Sequence, residues 1–207
     1  MPVKAHSFSN MSLLLAIAFG FLVSFFIALF NYQAPLNEEA MRSTLVATGR
    51  ASFLIFFIPL IAKPLYSFAN NALSRGLLHI RPLCGMAFFG STLFHLSFVY
   101  RLYQTVENPE PLSVLLGGLT AAAYLSLMTA FTFPIAVSWL GMRKTRLIHQ
   151  LAFYMFLMVF GYDLIYRNLD DPSPIFWTLY FGALLLRIAA WAKVGKKHPH
   201  PEPLEPT

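Results

Sequence analysis

The sequence predicts an all-α, polytopic membrane protein built as a six-helix transmembrane bundle. Three observations carry that prediction. Hydrophobic residues make up 57% of the 207 residues and charged residues 12%, against about a quarter charged in a soluble domain. Apolar runs recur along the chain, most of them close to the roughly 20 residues that a helix needs to cross a bilayer. Basic residues then crowd into alternate gaps between those runs, as the positive-inside rule expects.

The runs come in order. Residues 11–32 carry no charge. The stretch is long for a signal-peptide core and no A-x-A site follows it, so it reads as an uncleaved first span. Residues 51–68 are apolar except for Lys63, which is late enough to snorkel to an interface. Residues 82–100 are charge-free, and residues 111–142 are charge-free and longer than one span requires. Residues 147–162 stop at Asp163, and residues 172–192 are interrupted only by Arg187, which is close enough to the end to snorkel inward. With the N-terminus inside, ten basic residues face the cytoplasm and Arg42, Arg50, Arg101 and Arg167 face out. The expected organisation is a cytoplasmic N-terminus at 1–10, a transmembrane domain at 11–192 and a basic, Pro-rich cytoplasmic tail at 193–207, in the inner (plasma) membrane.

Composition excludes several functions. The single Cys84 rules out an internal disulfide and a CxxC pair. No stripe of bases interleaved with aromatics is present, so no nucleic-acid partner is expected; the lipid bilayer is. No inverted repeat points to a transporter. Gly117, Gly118, Ala121 and Ala122 have the small-xxx-small spacing of close helix packing. His198 and His200 in the tail are too few to make a metal site.

Ionisable residues within spans are expensive and therefore candidates for function. They are His79, Arg81, His95, His149, Asp163 and Arg187. His95 lies thirteen residues into the third run and His149 only two into the fifth. At about 1.5 Å per residue they differ in depth by roughly 16 Å, too far to share one haem iron. Two levels remain. The outer one has His95 with Tyr162 or Asp163, and the inner one has His149 with His79. Each histidine also has a plain reading, as a hydrogen-bonded core or interfacial side chain.

Several short motifs carry a resemblance. Thr48-Gly49-Arg50-Ala51 opens the second span and Lys63-Pro64-Leu65 ends it. Arg81-Pro82-Leu83-Cys84-Gly85 leads to His95 and Tyr100. Leu140-Gly141 precedes Leu147-Ile148-His149-Gln150-Leu151. In order and spacing, over about residues 10 to 190, these resemble the ferric reductase-like transmembrane domain family, and within it the haem-binding membrane subunit of bacterial periplasmic methionine sulfoxide reductase systems. The resemblance implies a b-type haem protein that moves electrons toward an acceptor on the outer face. It implies His95 as an axial ligand. In the family a second histidine follows about thirteen residues after the first on the fifth helix; here Tyr162 or Gly161 stands there. Thr145 replaces the family's Trp and Gln150 its Arg. Three repairs are open: Tyr162 as a phenolate ligand, haem held by His95 alone, or an inner haem on His149 and His79. A fourth reading is a haem-free relative acting as a scaffold, subunit or small-molecule binder. No G-x-G-x-x-G is present. Electrons are therefore expected from quinol or a cytoplasmic flavoprotein, with a periplasmic reductase as acceptor, and whether the chain is itself an enzyme stays open.

Overall fold

The structure, a computed structural model, describes residues 8–31, 37–105, 112–162 and 173–195. Asp163, Arg167 and the tail with His198 and His200 lie outside the described residues. The described residues are all helical or connecting, with seven helices and no strand. They are α1 (Asn10–Phe30), α2 (Glu38–Phe68), α3 (Ala72–Thr105), α4 (Leu112–Ala130), α5 (Pro134–Leu140), α6 (Met142–Tyr162) and α7 (Pro174–Gly195). Four of these are long and apolar enough to cross a membrane: α1, α2, α3 and α7. A fifth crossing is available if α4 and α5, which form a bent pair, count as one.

Two helices outrun the expected spans because capping starts them earlier. Asn37 accepts the Ala40 amide and Glu38 and Glu39 fill the first turn of α2, a favourable place for acidic groups. At α3, Asn71 Oδ1 accepts the Ser74 amide while Ser74 Oγ accepts the Asn71 amide, a reciprocal capping pair. Ser74 also bonds the Ala69 carbonyl. The result is helices of 31 and 34 residues, on the order of 46 and 51 Å long. Residues expected in loops, Arg42, Arg50, Arg75 and Arg81 among them, are therefore helical.

The long fourth run is broken, for the opposite reason. Pro134 has no amide proton and disfavours helical backbone in the residue before it. Phe133 accordingly adopts an extended conformation, and α5 leaves at 94° to α4. Trp139 and Ile135 on α5 are exposed.

The helices alternate in direction. Phe8, just before α1, packs on His79 near the start of α3. Lys193 of α7 reaches the last turn of α2, and His149 of α6 reaches the end of α4. These meet at one end of the bundle, with Lys63, Arg75, Arg143, Lys144 and Arg146. The opposite end, where Thr105 contacts Met41, has Arg42, Arg50 and Arg101.

The centre is aromatic. Phe56 stands 5.0 Å from Phe88, 5.1 Å from Phe153 and 5.5 Å from Phe160, ring centroid to centroid. Phe88 meets Phe156 edge-on at 5.1 Å, and Phe53 meets Phe160 at 5.2 Å. These tilted and edge-on geometries suit the ring quadrupoles. Leu60, Leu125 and Ala183 fill the gaps between rings.

A close helix approach falls on glycines that the small-residue pattern did not mark. A Cβ on Gly20 would lie 1.8 Å from the Ala87 carbonyl oxygen, and one on Gly90 would lie 1.9 Å from that of Ile17. The backbones of α1 and α3 thus touch at two points. Gly118, by contrast, has nothing within 4 Å of such a Cβ. Gly20→Ala and Gly90→Ala should each cost about 1–3 kcal/mol through forced separation of the helices. Gly118→Ala should be neutral or better. Thermal unfolding in detergent checks this, and equal melting temperatures for all three variants would contradict the α1–α3 contact.

Candidate functional site

Thr44, Thr48 and Ser52 recur every four residues and so share one face of α2. Each hydroxyl donates one turn back, Thr44 to Ala40 O at 2.8 Å, Thr48 to Thr44 O at 2.9 Å and Ser52 to Thr48 O at 3.0 Å. Ser52 also meets Ser91 of α3 at 2.7 Å, and Ser91 meets Ser24 of α1 at 2.6 Å. Because α2 and α3 are antiparallel, one turn further along α3 faces one turn further back along α2. That register brings His95 Nδ1 to 3.0 Å from Thr48 Oγ1.

With the single Thr48 proton placed on the Thr44 carbonyl, the Thr48 oxygen accepts from Nδ1–H of His95. Nε2 is then the unprotonated nitrogen. In metal sites a donor bond of this kind at one ring nitrogen orients an imidazole that ligates through the other. Gly49 lies beside the ring, where a Cβ would be 3.5 Å from Cε1. The Thr-Gly pair of α2 and the histidine of α3, far apart in sequence, are one local cluster.

The other candidates are placed differently. Tyr162 ends α6 half-exposed, at 51%. The buried member of the pair is Gly161, where a Cβ would be 2.4 Å from the Tyr180 hydroxyl. That hydroxyl donates to the Leu157 carbonyl at 3.0 Å. At the other end, His149 Nε2 lies 3.0 Å from the Met128 carbonyl, which can only accept, so Nε2 carries the proton. The last turn of α4 tightens there, with Thr132 N bonding Thr129 O. Met128 O is left for His149 and for the Thr132 hydroxyl at 3.0 Å. His149 thus acts as a side-chain cap on α4. His79 is exposed and packs on Phe8. Thr145 is buried and bonds the Gly141 carbonyl at 3.1 Å.

Arg187 does not snorkel out of the bundle. Its Nη1 donates to the Leu60 carbonyl at 3.3 Å. That oxygen would ordinarily accept from residue 64, but Pro64 has no amide proton. The guanidinium carbon lies 4.1 Å from the Phe153 ring centroid and 5.4 Å from that of Tyr154. Lys193 similarly donates to Ser67 O at 2.8 Å, in the last turn of α2. The sequence held the signal for this, a proline four residues after Leu60, but not the identity of the donor.

Among the described residues, no three His, Cys, Asp or Glu side chains gather as a metal-ion site requires. A haem needs only one or two axial ligands, and a His95 ring that donates from Nδ1 to Thr48 would fit one of them. His149 offers no such fit through Nε2.

Compared with known proteins, the chain matches no family model, no curated protein sequence and no solved structure.

Loss of the Arg187 donor should cost on the order of 1–3 kcal/mol, as for a buried acceptor left unpaired. Pro64→Ala returns an amide proton to Leu60 O. In that background Arg187→Leu should therefore cost distinctly less. Thermal unfolding of the two single variants and the double variant measures the coupling; additive losses would contradict it.

Proposed function

We propose that this chain is an integral membrane b-type haem protein that carries electrons from quinol or a flavoprotein partner toward an acceptor on the outer face. The reading rests above all on the Thr48–His95 hydrogen bond. It leaves Nε2 of a span-embedded histidine as the basic nitrogen, the state an axial ligand needs. The resemblance of the motifs to the ferric reductase-like family points the same way. Bound there, a haem would supply one-electron chemistry at its iron, with ligation and burial setting the potential.

The chain's own residues have separable tasks. Thr48 holds the ring in one tautomer and one orientation. Phe53, Phe160 and Phe176 keep water from the adjoining interior. Tyr162 is the candidate second ligand; without it, His95 holds the iron alone. In this reading the chain crosses the inner membrane six times, with α4 and α6 joining the four most apolar helices and both termini cytoplasmic. The helix α5 then runs along the inner surface, where Trp139 suits the interface.

A haem-free role as scaffold, subunit or small-molecule binder is the second reading. The phenylalanine packing between α2, α3, α6 and α7 favours it, because rings already fill the middle of the bundle.

The test is an absorption spectrum of the detergent-purified protein, oxidised and then dithionite-reduced. A stoichiometric Soret band that shifts on reduction is expected. His95→Ala should remove most of the pigment, and Thr48→Val should retain pigment but shift the reduction potential. Tyr162→Phe should change the spectrum only if the phenolate is a ligand. A protein that stays colourless after haem supplementation would end the haem reading in favour of the second.

A further inference from the structure

The bundle contains a second polar cluster, at the end opposite His95, that the haem reading does not use. Phe88 of α3 and Phe156 of α6 touch at 5.1 Å. Seven residues earlier on each helix, two turns back on the same face, stand Arg81 and His149. The two helices run in the same direction, so both steps lead to the same level. Arg187 of α7 lies over Phe153, one turn beyond His149, at 4.1 Å. Arg81 is close enough to both Arg187 and His149 for their charges to interact.

Two partly buried guanidiniums therefore lie near one level of the bundle. Arg187 spends one donor on Leu60 O. Arg81 has no hydrogen-bonded or ion-paired partner among the described residues. The only acids among those residues are Glu38 and Glu39, at the far end of α2. Thr129, one residue past the carbonyl that His149 caps, is 5% exposed, and its hydroxyl has no hydrogen-bond partner among the described residues. Two partly buried like charges, of which only Arg187 has an acceptor among the described residues, are costly unless something anionic compensates them.

The level of the cluster identifies the anion's setting. Tyr154 touches Arg187 at 5.4 Å and Trp191 at 6.4 Å. Trp191 is 73% exposed, as a residue of the interfacial aromatic belt should be. Arg187 lies one turn, about 6 Å, deeper along α7. We propose that Arg81 and Arg187, with His149 at the same level, bind a phosphate group at the basic end of the bundle. Guanidinium forks suit phosphate oxygens, and the interfacial level makes the headgroup of an anionic phospholipid the fitting source.

The test uses the full chain in detergent. Native mass spectrometry counts retained lipid after exchange with phosphatidylglycerol or with phosphatidylcholine, and a parallel titration follows thermal stabilisation by inorganic phosphate. Preferential retention of phosphatidylglycerol, cut about tenfold or more by Arg81→Gln, is the expected result. Because Arg187 also braces α2, its test variant is Arg187→Lys. This keeps a donor for Leu60 O, so it should fold while weakening retention. Stabilisation by millimolar phosphate without lipid preference, lost in Arg81→Gln, would keep the site and assign it to a soluble phosphate compound. Equal retention of both lipids with no phosphate effect, or retention untouched by Arg81→Gln, would overturn the proposal.

Discussion

In hydrocarbon no water stands by to bond a backbone carbonyl, so every helix break or proline must be answered by the protein itself. That constraint organises the basic end of this bundle. Pro64 opens the Leu60 carbonyl and Arg187 closes it. The bend before Pro134 opens the Met128 carbonyl and His149 closes it. The last turn of α2 ends on Ser67, which Lys193 reaches. Each answer comes from a helix other than the one it serves, so the same bonds that satisfy the backbone also tie α4 to α6 and α2 to α7. A charge that hydropathy alone reads as a liability serves as a tie.

The two ends of the bundle thus use polar groups in opposite ways. At the basic end long cationic side chains donate into carbonyls, and their charge remains after the bond is made. Along α1, α2 and α3 small hydroxyls donate to one another and to the turn behind them, and no net charge results. His95 belongs to this neutral ladder. Its Nδ1 meets the Thr48 hydroxyl. The aromatic core between the two polar regions separates them by several turns of helix.

Much of the fold was readable in the sequence, and the misses have definite physical causes. Apolar runs located four helices that qualify as spans because hydropathy measures what a span must do. Their true ends were missed at α2 and α3, where Asn37 and the Asn71–Ser74 pair start helices in polar sequence that a hydropathy window ignores. The break at Pro134 was within reach, since proline's effect is local. The tight α1–α3 contact was not: Gly20 and Gly90 lie on different helices, and pairing them needs the register that only packing supplies. The same holds for the site. His95 stood out by type and depth. Its partner Thr48 was visible only as part of a short motif, and the hydroxyl chain through Ser24, Ser52 and Ser91 gave no sign at all. His149 stood out equally, yet its ring is occupied by a helix end that hydropathy read as continuous.

The contact of α1 with α3 also bears on the order of assembly. A chain is made from its N-terminus, and α1 is finished long before the residues that Gly20 and Ser24 meet. Until Ala87 and Ser91 have been made, the groove on α1 has no backbone to receive and its serine no hydroxyl to bond. The first helix must therefore wait at the membrane while α2 and half of α3 follow it. It locks only when the third helix reaches it. The first helix to be synthesised is in this way fixed only after the third has been made.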